Sequence, residues 1–239
     1  MNASATSTPT PNTDTSFLAN LFHQHENTSP LDVLPIVSLA ISRDTSGANN
    51  AGDLVFGDLP TSNDSLINIT SLIAIPMSLS NFSDPNGIVY DDASMQYTIP
   101  IDGIYATNTA AQIFNFNATS PFNMVISTSE TAISLPPSFA SAVNGMFIPP
   151  GFLASDNATY YMHCDSVAPG LNIVIKNQPF LINPMDMKRR ASQSLCISSV
   201  TAGSASHYVL GDLFLRNILL ALDFRSNTLS LSPRPYYRS

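Results

Sequence analysis

The stretches MVISTSETAISLP, residues 124 to 136, and YVLGDLFLRNILLALDF, residues 208 to 224, decide how this chain is read. In the first, the apolar pair Val125-Ile126 runs into the polar string Ser127-Thr128-Ser129-Glu130-Thr131, and the chain turns apolar again towards Leu135-Pro136. In the second, Val209, Leu210, Leu213, Ile218 to Leu222 and Phe224 read as plain core, interrupted by Gly211, Asp212, Arg216 and Asn217. Those interruptions deny this most apolar run the length a membrane-spanning helix needs.

Working outward, 239 residues that are 44% hydrophobic and 11% charged can bury a core, as one large domain or two small ones. The net charge of -8 arises from 17 acidic against 9 basic residues. No basic stripe is present, which argues against nucleic acid and anionic membrane surfaces as partners. The one basic cluster, Lys188-Arg189-Arg190, reads as a solvated loop tip rather than a dibasic processing site. Cys164 and Cys196 would close a loop of about 33 residues, worth about 3 to 4 kcal/mol if bridged. Seven Asn-x-Ser/Thr sequons, at Asn2, Asn27, Asn63, Asn68, Asn81, Asn117 and Asn157, point to the secretory route, although a chain of this composition yields about five by chance. The N-terminus has no cationic region followed by an apolar one and is not a signal peptide, so the expectation is a chain that begins partway through a longer pattern.

Residues 1–14 are rich in Ser, Thr, Asn and Pro without apolar periodicity and are expected to be disordered. Phe17, Leu18, Leu21 and Phe22 recur at helical spacing, predicting a short helix that ends near His25 to Pro30. LPIVSLAIS at 34–42 and AGDLVFGDLP at 51–60 predict a hairpin around a Gly/Asn-rich turn. Alternation returns in residues 67–79, ahead of a turn at Asp84-Pro85-Asn86-Gly87, and again in residues 95–106. PPSFASAVNGMF predicts a helix with Pro137 in its first turn and Gly145 beyond its end. Short alternating strands punctuated by Pro and Gly predict an all-β sandwich or barrel.

From about Phe17 to the C-terminus the order of segments resembles pepsin-family aspartic peptidases. FLANLF looks like the late helix of that family's N-terminal lobe and AGDLVFGDLP like the hairpin closing it. YTIPIDGIYA looks like the strand opening the C-terminal lobe, with Tyr97 present and Thr98 in place of an aromatic residue. Residues 124–136 resemble the catalytic loop of the C-terminal lobe, and Leu210-Gly211 the segment that supports that loop in a ψ-shaped crossing. The resemblance implies a Cys164–Cys196 disulfide, no cofactor, a secreted or vacuolar location, and a peptide or protein as partner in what remains of the cleft. It divides the chain into residues 15–97, a remnant of the N-terminal lobe with the interlobe strand, and residues 98–239, a pepsin-like C-terminal lobe.

Family chemistry activates water between two carboxylates about 3 Å apart that share one proton. Each lobe supplies one, in an Asp-Thr-Gly loop. Here the position of the C-terminal-lobe Asp holds Ser127, Ser129 replaces the Gly, and the N-terminal-lobe loop and flap have no counterpart. A hydroxyl cannot serve as the base that water activation demands, and losing one positioned acid or base removes about 10²- to 10⁴-fold of rate. A symmetric dimer would only bring two Ser127 side chains together.

Other arrangements are weaker. Arg43-Asp44-Thr45-Ser46-Gly47 lacks the preceding apolar pair and reads as a turn. Glu130 lies in the loop but at a bracing position, so a solvated or structurally paired carboxylate is expected. Ser127 has no Gly-x-Ser-x-Gly elbow, and His23, His25, His163 and His207 have no motif spacing to serve it as base or to hold a metal. The expectation is an aspartic endopeptidase homologue without catalytic residues. The alternatives are a secreted, glycosylated peptide-binding or decoy module, its candidate glycans on Asn27, Asn63, Asn68, Asn81, Asn117 and Asn157, or a non-functional truncated product of a longer gene.

Overall fold

Alternation of more and less buried side chains marks several strands of this protein, most regularly at residues 160–163, 170–175 and 195–198. The computed structural model describes residues 34, 36–41, 52–60, 72–76, 78–80, 96–204, 207–224, 226 and 228–234. The expected helix at 17–25, the lead at 1–14 and the turns at 43–47 and 84–87 lie outside these residues. Strands β1 (Ile36–Ile41) and β2 (Gly52–Phe56) form the expected hairpin, pairing Val37 with Phe56 and Leu39 with Leu54. The alternating segment 67–79 contains β3 (Ile73–Pro76) and the start of β4 (Ser78–Ser80). The long pair β5 (Gln96–Thr107) and β6 (Ile113–Ile126) follows, its register shifting between Ile101 and Gly103.

After β7 (Ile133–Leu135) comes helix α1 (Pro137–Gly145), started by a proline whose fixed φ suits the first turn. Gly145 is its last helical residue, not a residue beyond it, because Met146 still donates to the Val143 carbonyl and closes the final turn. Strands β8 (Phe152–Leu153), β9 (Tyr160–His163), β10 (Gly170–Ile175) and β11 (Gln178–Ile182) lead to a short 3-10 turn at Pro184–Asp186. Lys176 and Asn177, both with positive φ, make the tight turn between β10 and β11. The chain finishes through β12 (Lys188–Arg190), β13 (Leu195–Ser198), β14 (Val200–Ala202), β15 (Val209–Leu210), helix α2 (Asp212–Leu215), β16 (Ile218–Asp223) and β17 (Thr228–Pro233).

The described residues form three sheets. One runs β2-β1-β16-β17-β3 and so joins segments from opposite ends of the chain, with the Arg234 guanidinium donating to the Ile41 carbonyl. The second runs β11-β10-β5-β6-β15-β7-β14, with β4 also on β5, and the third runs β12-β13-β9-β8. A continuous core of Ile99, Ile101, Ile104, Met124, Phe147, Met162, Phe180, Phe214 and Leu231 lies among them. The all-β expectation holds, with α1 and α2 as the helices among the described residues.

Lys188-Arg189-Arg190 is not a solvated loop tip. It is the edge strand β12, registered Lys188 to Ser198 and Arg190 to Cys196, and the Lys188 ammonium donates to the carbonyls of Cys164 and Ser166. Charged side chains on a sheet edge also discourage pairing with another chain. The strand lies beside the Cys164–Cys196 disulfide, whose Cα atoms are 5.0 Å apart and which spans a sequence separation of 32.

Replacing both cysteines by serine is expected to lower unfolding free energy by about 3 kcal/mol, through the wider freedom of the unfolded chain. Urea unfolding followed by tyrosine fluorescence, the chain having no Trp, measures it, and an unchanged midpoint would contradict it. A second expectation concerns Asp156, whose carboxylate accepts from the Ala158 and Thr159 N–H groups, each at 2.9 Å. Hydrogen bonding from Thr159, then Ala158, holds its pKa below the ordinary 3.8. Its contribution to stability is therefore full above the ordinary value and lost as pH falls through the lower folded value. A carboxyl NMR titration should show a midpoint below 3.8; one at or above it would refute the assignment.

Candidate functional site

β15 is only two residues long, yet it lies between two strands that belong to the other motif. It runs parallel to β6, pairing Val209 with Val125 and Leu210 with Ile126, and antiparallel to β7, pairing Leu210 with Ile133. The loop from Ser127 to Ala132 therefore has to pass over the end of β15. All six paired positions among these residues are apolar or, at Ser134, partly buried, which is why this short segment stays in register.

Passing the loop over β15 requires that the residue there have no side chain. An ideal Cβ on Gly211 would stand 2.4 Å from the carbonyl oxygens of both Ala132 and Glu130, far inside contact distance. With glycine in place, Asp212 N donates to the Glu130 carbonyl at 2.7 Å and Leu213 N to the Thr131 carbonyl at 3.3 Å. The free N–H groups at the start of α2 thus find their acceptors in the loop. Asn217, buried at the far end of α2, donates to the Leu213 carbonyl at 2.7 Å and accepts from Asn183 N at 3.0 Å, tying α2 to the 3-10 turn. In the sequence Asn217 only breaks an apolar run, yet an amide inside such a run is itself a signal of a buried bracing role.

Ser127 directly follows β6 and is half-buried, and its N–H donates to the Leu210 carbonyl at 3.1 Å. Its Oγ lies 3.0 Å from Ser129 Oγ and accepts from Ser129 N at 3.3 Å, so the hydroxyl folds back on its own loop. Thr128, Ser129, Glu130 and Thr131 are exposed. Glu130 enters the crossing through its backbone carbonyl, while its exposed side chain is the loop's single carboxylate.

The partners of Ser127 Oγ among the described residues both belong to Ser129. Among the described residues no imidazole is bonded to it: His163 is exposed at the end of β9 and half-buried His207 forms an isolated bridge with Ser204, while His23 and His25 lie outside the described residues. The Ser127 hydroxyl can therefore donate and accept hydrogen bonds, but among the described residues no base is bonded to it. Behind it lies a cavity of about 200 Å³ lined by Thr131, Lys188, Arg189, Asp212 and Arg216, in which Arg216 and Asp212 pair at 2.5 Å. Among the described residues no group of three His, Cys, Asp or Glu side chains is arranged to hold a metal ion, and no helix is long and apolar enough to cross a membrane.

The sequence profile described as "Eukaryotic aspartyl protease" matches residues 35–234. This chain belongs to that family. Within it, the chain is similar to a probable aspartic-type endopeptidase of Aspergillus fumigatus, 28% identical over 198 residues that cover 79% of this chain and 42% of the relative. It is also similar to the aspartic-type endopeptidase ctsD of the same fungus, 25% identical over 83% of this chain and 37% of that protein. The chain thus spans about two fifths of the length of these relatives. Among solved structures, basic 7S globulin from soybean superposes with a TM-score of 0.63, at 14% identity over 91% of this chain and 54% of that one, which shows the same fold.

The aspartyl-protease crossing makes a sharp contrast between two glycines. Gly211→Ala should cost about 3 kcal/mol or more, because the clash is with backbone that cannot step aside. Gly145→Ala, with nothing within 4 Å of the new Cβ, should be neutral or stabilising by up to about 1 kcal/mol. Thermal melts of the two variants compare them directly, and equal shifts would contradict the crossing.

Proposed function

We propose that this aspartyl-protease-family chain does not hydrolyse peptide bonds. The observation that carries the reading is Ser127: at the position where the family resemblance expects a catalytic Asp, the side chain is a hydroxyl turned onto Ser129. Water activation in this chemistry depends on two carboxylates whose pKa values separate because they share one proton. A serine hydroxyl neither takes up that proton at acid pH nor carries the charge that repels its neighbour. Glu130 does not replace it, since its backbone carbonyl is fixed by Asp212 and its side chain faces solvent. This holds whatever lobe or segment accompanies residues 35–234 in the intact protein.

We read residues 98–239 as the pepsin-like C-terminal lobe and residues 15–97 as part of the N-terminal lobe with the interlobe strand, supported by β1, β2 and β3 joining the sheet of β16 and β17. The disulfide and the exposed sequon turn at Asn157 support passage through the secretory pathway to a secreted or vacuolar location. The exposed row of hydroxyls at Thr128, Ser129 and Thr131 favours a second reading, in which the loop holds a peptide without cutting it.

Incubation of the purified chain with a peptide library between pH 2 and 7 is expected to yield no cleavage. Cleavage that a transition-state-analogue inhibitor of aspartic peptidases abolishes would overturn the proposal. Saturable retention of an intact peptide, measured by fluorescence anisotropy and weakened by Thr131→Val, would support the peptide-holding reading.

A further inference from the structure

In the sheet β6-β5-β10-β11, Ile104, Ile173 and Phe180 pair across adjacent strands and are buried in the core. Their chain neighbours point the opposite way, because successive side chains alternate. The register there sets Asn115 beside Tyr105, Tyr105 beside Asn172, and Asn172 beside Leu181. Tyr105 and Asn172 are half-buried and Asn115 is exposed. None of the three side chains hydrogen-bonds to another described residue. Between them opens a cavity of about 350 Å³, whose floor and sides include Val174 and Pro179 and no charged group.

An aromatic ring with an amide on the strand to either side, donors and acceptors bonded to no described residue, and no charge in the lining suit a neutral, polyhydroxylated ring. Its C–H face would stack on Tyr105 and its hydroxyls would meet the amides. The volume lies at the small end of the range of about 300 to 1,000 Å³ for small-molecule sites. A source of such a ring is written in the same strand. Asn117-Ala118-Thr119 is a sequon, and Asn117 pairs with Gly103 in the row adjoining Tyr105. Asn117 is two residues from Asn115 along β6, about 7 Å by the rise of a strand.

We propose that Tyr105, Asn115 and Asn172 form a seat for a saccharide ring, and that the ring is supplied by an N-glycan carried on Asn117. The seat is independent of the loss of peptidase chemistry. It shares with the reading above only the secretory route, and the peptide assay cannot decide it. The glycan would lie along the sheet, over the half-buried Tyr105 and Asn172 of β5 and β10.

The test uses the full chain secreted from a eukaryotic host, compared with Asn117→Gln. Glycopeptide mass spectrometry should find Asn117 occupied. In amide NMR spectra, Tyr105, Asn115, Asn172 and Val174 should shift between the two proteins. Adding N,N′-diacetylchitobiose to Asn117→Gln should move the same signals back towards the glycosylated positions. Tyr105→Ala and Asn172→Ala, placed in the Asn117→Gln background and checked by unchanged melting, should each weaken disaccharide binding at least tenfold. An unoccupied Asn117, or disaccharide binding with no trace of the covalent glycan at Tyr105, overturns the Asn117 source. Absence of any shift at these residues in both arms overturns the seat.

Discussion

The passage of the Ser127–Ala132 loop over Gly211 is the constraint on which the rest of this structure depends. It locks three strands, β6, β15 and β7, into one crossing, and it gives the start of α2 its acceptors in the Glu130 and Thr131 carbonyls. Every bond in that crossing is made by backbone. Ser127 contributes its N–H to Leu210, and Glu130 and Thr131 contribute their carbonyls. The identity of the side chain at 127 is therefore immaterial to the scaffold, and this explains how the fold tolerates serine where catalysis would need a carboxylate. A serine is in one respect easier to accommodate, since a half-buried hydroxyl bonded to Ser129 avoids the cost of desolvating a charge.

Much of this could be read from residue order because the relevant signals are local. Val125-Ile126, Leu210-Gly211 and Leu135-Pro136 marked the crossing, alternation marked β1, β2 and β5, and Pro137 marked the start of α1. The features missed are those that long-range packing decides. Lys188 looked like a solvated cation because its partners, the carbonyls of Cys164 and Ser166, are set by a different strand. Gly145 looked like a helix stop, but the turn closes one residue later at Met146. The row formed by Asn115, Tyr105 and Asn172 is invisible in sequence, since each residue sits on a separate strand and only the register brings them together.

Retention of the scaffold and the proposed loss of the chemistry rest on different physics. The scaffold needs apolar burial and a residue without a Cβ at 211, both present. The chemistry needs a pair of acids so close that one proton is shared between them. A family member can keep the first and lose the second with a single substitution, and kinship to aspartic-type endopeptidases speaks to the first alone.

Calorimetric titration with a transition-state-analogue inhibitor of aspartic peptidases, repeated in buffers of different ionisation heat from pH 3 to 7, tests this most directly. Tight binding to a working dyad is linked to a proton held between its carboxylates. The account predicts weak or absent binding with no linked proton across that range. Tight binding that takes up a proton in the carboxylate range would show an acid pair at the crossing and contradict it.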